Sequence, residues 1–171
     1  EIDPDNLPIA RENFSYLKIA ESGKVGIRFV FGDGRISLRK AEKGALDLVI
    51  VDAFSSGSIP VHLLTVEAFN DYFGALKPDG ILLLHLSNRT LDLVPVAFSN
   101  ARAIGAVALH KTNVDNKNDD AEVCEWVIVT RDLNAPYVLQ KELSWIAQPP
   151  AKLPVPWTDQ YSNLFGAMLV K

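Results

Sequence analysis

Asp52 stands where the apolar run Leu46–Val51, broken only by Asp47, gives way to Ala53-Phe54-Ser55-Ser56-Gly57-Ser58-Ile59-Pro60. A run this short, rich in Val and Ile and bounded by turn residues, predicts a strand buried on both faces. Ligands of open parallel sheets bind in the crevice beyond the carboxyl ends of the strands. A carboxylate placed there, ahead of small hydroxyl and glycine residues, is a candidate for chemistry; its alternative role is to cap the following loop through backbone amides. Two further acidic positions fall at expected strand ends, Glu1 with Asp3 and then Asp33, and their even spacing predicts that all three share one sheet edge. An acid after the second strand of a nucleotide-binding unit accepts hydrogen bonds from both ribose hydroxyls. Asp33, between Gly32 and Gly34, can approach a flat ligand edge because glycine lets the backbone turn tightly. The same Gly-Asp-Gly also reads as a plain turn. Together the three positions suit an adenosine-like ligand.

The elements that must position these acids alternate. Asn6–Ala20 reads as a helix with Pro8 in its first turn, Val25–Phe31 as a strand, Ile36–Ala41 as a short helix with Arg and Lys outward, and Leu46–Asp52 as the next strand. Thr65 is the expected N-cap of a helix through Leu76, stopped by Lys77-Pro78-Asp79-Gly80. Strands are expected at Ile81–Leu86, Ala106–His110 and Glu125–Thr130, and helices at Asp92–Ile104 and Tyr137–Ile146, with Asn113–Glu122 as a connection. The alternation predicts a mainly parallel α/β sheet with helices on both faces, in a domain over residues 1–147, and a Pro-rich tail over 148–171 that packs back on it. Glu1-Ile2-Asp3-Pro4 reads as the end of a strand, so the chain is expected to be a fragment without its upstream part.

Composition bounds the function. The 171 residues carry a net charge of −4, and Lys and Arg are scattered rather than clustered, which argues against a nucleic-acid partner. One cysteine, Cys124, forms no internal disulfide and fits a reducing compartment, here taken as the cytoplasm. No apolar stretch is long enough to span a bilayer. His62 and His110 have no partners at metal-ligand spacing, so no metal is expected. Ser55, Ser56 and Ser58 do not form a Gly-x-Ser-x-Gly nucleophile elbow. His85, Ser87, Asn88 and Arg89 end the strand from Ile81 and should line the same edge, while His85, flanked by leucines, reads rather as a core histidine. Asn88 or Arg89 either contacts substrate or caps the next helix, and Trp157, Asp159 and Tyr161 either fold over the active edge or dock for stability.

With these residues in view, the chain resembles the spermidine synthases, the polyamine aminopropyltransferases, which have the Rossmann-like class I methyltransferase fold. The likeness is carried by Glu1-Ile2-Asp3, by Gly32-Asp33-Gly34-Arg35, by Asp47–Asp52, and by the stretches Asp52–Ala68, His85–Val96 and Trp157–Asn163, which together span most of the chain. It is nearest to a bacterial spermidine synthase-like branch, some of whose members are fused to transporter-like membrane segments. The resemblance implies that Glu1 binds the ribose hydroxyls of S-adenosylmethionine or its decarboxylated form, with Asp3 and Gly34 beside the same cofactor. It implies that Asp33 accepts from the adenine amino group and that Asp52 deprotonates or orients the attacking amine. A protonated polyamine nitrogen must lose its proton before it displaces at the sulfonium-bound carbon, and a carboxylate can take that proton.

Two departures qualify the likeness. Spermidine synthases follow the first acid with a second in an Asp-x-x-Asp-Pro pattern, whereas here Ser55 takes the second place and Pro60 comes later. The glycine-rich loop for the methionine-derived end of the cofactor belongs upstream of Glu1. The expected activity is aminopropyl transfer from decarboxylated S-adenosylmethionine to a small-molecule amine, with Ser55, Asn88, Asp159 and Tyr161 near the acceptor. The alternatives are S-adenosylmethionine-dependent methyl transfer and a non-catalytic ligand-sensing domain. A homodimer is compatible with the family, and membrane association would come only through segments outside this chain.

Overall fold

The structure is a computed structural model that describes residues 1–23, 26–53, 60–113 and 124–169. The chain forms two compact units, Glu1–Ala41 and Glu42–Lys171. The tail from residue 148 lies within the second.

The first unit holds α1 (Asn6–Asn13), α2 (Ser15–Ser22) and α3 (Gly34–Arg39). The single helix expected over Asn6–Ala20 is interrupted at Phe14, whose backbone is extended. Asn13 and Ser15 flank the break, and residue types whose polar side chains compete for the backbone weaken a helix interior. The Asn13 amide donates to the Ile9 carbonyl at 2.8 Å.

The strand expected at Val25–Phe31 does not form as such: the described residues 26–31 carry no ladder. One residue pair stands in for it. The Glu1 nitrogen donates to the Val30 carbonyl and the Gly32 N–H donates back to the Glu1 carbonyl, at 3.1 and 2.9 Å. That is the bond pattern of a single parallel pairing, too little to hold a strand. Asp33 therefore follows an extended segment and not a sheet strand, which corrects the expectation of three acids on successive strand ends. Gly32, at φ +118°, makes the turn that a side chain would resist. The short helix after it starts at Gly34, two residues earlier than expected, and carries Arg39 and Lys40 outward, while Arg35 in its first turn is buried and Ile36 is exposed.

The second unit is built on one sheet of β1 (Leu46–Val51), β2 (Leu76–His85), β3 (Val107–Asn113) and β4 (Cys124–Thr130), in the spatial order β1-β2-β4-β3. β1 and β2 are parallel, and β4 runs antiparallel to both β2 and β3. Three strands thus point one way and β4 is reversed. The stop expected at Lys77-Pro78-Asp79-Gly80 does end α4 (Val66–Ala75), but it sits inside β2: the register jumps from Leu46↔Leu76 to Leu48↔Ile81. A Cβ on Gly80 would come within 3.0 Å of Leu76 and the Lys77 carbonyl, so this bulge is closed tightly on itself.

Alternate strand residues face opposite sides. Leu82, Leu84, Val127 and Val129, all fully buried, share one face with Val49 and Val51. The buried residues of α4 and of α5 (Val94–Ala103) pack there, Ala68, Phe69 and Tyr72 from one helix and Val96, Ala97 and Ala101 from the other. A Schellman turn ends α5, with Gly105 at φ +70° and Ala106 N–H bonded to the Ala101 carbonyl, and feeds β3. On the opposite face, Leu139 of α6 (Ala135–Leu143) packs with Leu109 and Ile128. That cover does not extend to β1, where Leu48 and Ile50 remain 47% and 56% exposed.

The tail is laced to α4 and α5. Thr65 caps α4 by accepting from Ala68 N–H at 3.2 Å. Asn100 donates to the Leu64 carbonyl at 2.7 Å and accepts from Trp157 N–H at 2.9 Å, while the Trp157 carbonyl accepts from Val66 N–H at 2.8 Å. The Trp157 side chain is fully buried, and its indole N–H has no partner among the described residues. Its hold is therefore apolar area plus backbone bonds.

Two outcomes follow from these contacts. Trp157→Ala should cost about 3–5 kcal/mol, read as a lower midpoint in thermal unfolding followed by circular dichroism; a loss below about 1 kcal/mol would show that the tail is not part of the core. The Glu1 carboxylate accepts from Asp3 N–H at 3.0 Å and from the Asn6 amide at 3.1 Å, and these bonds, the Asp3 amide foremost, lower its pKa. A depressed carboxyl stabilises the folded form above its unfolded value, and that contribution disappears as pH falls through the folded one. Asn6→Ala should move the Glu1 titration, followed by carboxyl-carbon NMR, back toward the ordinary carboxylate range.

Candidate functional site

The parallel register Val51↔Leu84 sets the next residues, Asp52 and His85, side by side at the carboxyl edge of the sheet. His85 pairs in turn with Trp126 of the reversed strand. The three side chains form a row on the sheet face that carries Ile50 and Leu83. Asp52 Oδ1 lies 2.7 Å from His85 Nδ1, and Ser87 Oγ lies 2.7 Å from His85 Nε2. Ser87 Oγ also accepts from Glu125 N–H at 2.8 Å. The imidazole stacks on the Trp126 indole with centroids 4.3 Å apart and an interplanar angle of 18°. Both ring nitrogens and one ring face of His85 are thereby engaged.

This arrangement leaves Asp52 usable. Its side chain is 64% exposed against 23% for His85, so the imidazole anchors one oxygen while the carboxylate faces solvent. Among the described residues Asp52 Oδ2 takes no hydrogen bond. His85 is thus not enclosed in the core as its leucine neighbours suggested. Alternation directs Leu84 and Leu86 to the buried face and His85 to the other. The sequence placed His85 and Ser87 at the same sheet edge as Asp52, but did not reveal the bonds that link Asp52 to His85 and His85 to Ser87. The local signal was present, since residues i and i+2 of a strand share a face, but the pairing of strands 33 residues apart was not.

The other expected positions fall elsewhere. Asn88 Oδ1 accepts from Thr90 N–H, Thr90 Oγ1 and Leu91 N–H at 2.9–3.0 Å, a local cap, while the residue also lines a cleft of about 420 Å³ with Asp92, His110 and Glu125. Asp159 Oδ1 accepts from the Thr65 hydroxyl at 2.8 Å and its N–H donates to Glu67 Oε2 at 3.0 Å, so it ties the tail to the start of α4. Tyr161 is partly exposed, and lines a cleft of about 330 Å³ with Asp159 and His62. Ser55 lies outside the described residues.

In the first unit, Asp33 caps α3 by accepting from Ile36 N–H at 2.8 Å, and Gly34 is that helix's first residue. Asp3 Oδ1 accepts from Asp5 N–H at 3.0 Å. Glu1 uses Oε1 for its two bonds, and Oε2 takes none among the described residues. A carboxylate oxygen left open in this way can accept from a ligand hydroxyl. The described residues contain no group of three or more His, Cys, Asp or Glu placed to hold a metal. No helix among them is long and apolar enough to cross a membrane.

Solved structures share the fold. The spermidine synthase from Thermotoga maritima superposes with a TM-score of 0.58 at 16% identity, over 91% of this chain and 51% of that one. A spermidine synthase in complex with the transition-state analogue AdoDATO gives 0.56 at 16% identity, again over 91% and 51%. A probable spermidine synthase from Corynebacterium glutamicum ATCC 13032 gives 0.59 at 16% identity, over 95% and 64%. No family model matches the sequence, and no curated protein does. The chain spans about half the length of the first two structures. Its fold is the Rossmann-like fold of the spermidine synthases.

Proposed function

We propose that this chain carries the acceptor-side chemistry of an aminopropyltransferase, in which Asp52 takes the proton of the attacking amine. The observation that carries the reading is the exposed Asp52 carboxylate at the edge of the parallel pair, anchored through Oδ1 and open at Oδ2. Decarboxylated S-adenosylmethionine, as co-substrate, supplies an electrophilic carbon on a sulfonium. An alkylammonium has no lone pair, so the acceptor must first be deprotonated. A carboxylate attracts the cation, holds its N–H and takes the proton; the freed lone pair then forms the C–N bond as the C–S bond breaks and the sulfonium sulfur leaves as a neutral thioether. Anchoring matters here because a carboxylate free to rotate spends much of its time off the line of the amine. Glu1 would accept from the ribose hydroxyls and Asp33 from the adenine amino group.

Methyl transfer from S-adenosylmethionine is the second reading, favoured by Ser55, which stands where a second polyamine-binding acid is expected. One carboxylate suffices to deprotonate a nucleophile but gives a diamine only one cation partner.

Isothermal titration of the protein with the two cofactor forms separates these readings. Tighter binding of the decarboxylated form is expected; preference for the carboxylated form would move the assignment to methyl transfer, and binding of neither would remove both. Asp52→Asn should lower kcat about 10²–10⁴-fold with cofactor affinity nearly unchanged. A variant of normal rate takes Asp52 out of the mechanism.

A further inference from the structure

Ser87 is two residues past the end of β2, on the same face as His85, and only partly buried. Its hydroxyl bridges the Glu125 N–H and His85 Nε2, and it makes no further hydrogen bond among the described residues. The direction of each bond in this chain can be worked out. Glu125 N–H can only donate, so one lone pair of Ser87 Oγ is taken. Between Ser87 and Nε2, either partner could carry the hydrogen. If Nε2 carried it in a neutral ring, Nδ1 would be bare and would face Asp52 Oδ1 across 2.7 Å, lone pair against carboxylate. The Ser87 hydrogen would then have no acceptor among the described residues either. Both conflicts vanish in one arrangement: Glu125 N–H to Ser87 Oγ, Ser87 O–H to Nε2, and Nδ1–H to Asp52 Oδ1.

We propose that Ser87 is a positioning residue that fixes His85 in its Nδ1–H tautomer and thereby aims Asp52. This rests on the reading of Asp52 as the base, and deepens it. A neutral ring that donates only from Nδ1 occupies Oδ1 and pins it. Oδ2 is left as the atom that receives a proton. The Trp126 stack keeps the ring plane from swinging, so the tautomer is converted into a direction.

The same three residue types build acyl-transfer triads, but there the serine is the reactive, open end. Here the acid is the open end, and the serine oxygen already accepts a backbone N–H.

The tautomer can be read without any substrate. In the protein labelled with ¹⁵N-histidine, His85 should show a protonated Nδ1 and a bare Nε2 at neutral pH. Ser87→Ala should lower the Nδ1–H to Nε2–H ratio about fivefold, the factor that one ordinary hydrogen bond carries. Ser87→Thr, which keeps a hydroxyl, should restore it, and amide dispersion confirms that both variants fold. Under turnover, Ser87→Ala should lower kcat several-fold with KM unchanged, again rescued by Thr. A protonated Nε2 with bare Nδ1 in the parent protein, or a ratio unmoved in Ser87→Ala, overturns the inference. So does covalent labelling of Ser87 by a fluorophosphonate, which would make it a nucleophile. A correct tautomer in a protein without transferase activity would leave the positioning role standing and sink the proposed reaction instead.

Discussion

The parallel pairing of β1 with β2 is the constraint on which the candidate site depends. Parallel partners end at the same edge, so the residues that follow them are neighbours by construction. With Val51 opposite Leu84, Asp52 has His85 beside it. A shift of one residue would turn the imidazole to the buried face and put a leucine beside the acid. The buried leucines of β2 hold the register, since slipping it would expose Leu82 and Leu84 and drive His85 into the helices. Apolar burial on one face thus fixes polar geometry on the other.

The reversed β4 completes the arrangement. Being antiparallel, it begins at the edge where β2 ends, and its first residues offer Glu125 N–H to Ser87 and the Trp126 ring to His85. A fourth parallel strand would have brought its last residues there instead, reached from the opposite side of the sheet. Nor is the edge isolated from the helices. The Leu86 N–H donates to the Glu125 carbonyl at 2.8 Å, so the chain leaving β2 stays paired for one residue past the strand before it turns toward α5.

What was legible in the sequence was local. The apolar run Leu46–Val51 announced a strand, Thr65 the start of α4, and the turn residues most of the boundaries. Asp52 could be found because strand ends are visible in a single segment. Its partner could not, because periodicity says which residues share a face but nothing of which strands are neighbours or which way they run. For the same reason the reversal of β4 was invisible. Val25–Phe31 had the composition of a strand, and composition cannot supply the ladder that makes one. In Arg35 and Ile36 the burial is opposite to what polarity suggests. Asp33 shows the limit for sites: the same Gly-Asp-Gly serves a helix cap, and a cap and a ligand contact look alike in sequence.

The anchoring of Trp157 against α4 and α5 has a consequence for how the second unit comes into being. During synthesis the chain emerges from its amino end, and domains tend to fold as they appear. The sheet and both helices exist as sequence well before residue 157 is made, yet Asn100 Oδ1 and the Val66 N–H find their native partners only at Trp157. Until it arrives, a nascent chain holds a buried-type amide and an open apolar seam in contact with water. Closure of this seam therefore waits until Trp157 has been made, and a ribosome paused before it would leave an intermediate well suited to capture by a chaperone.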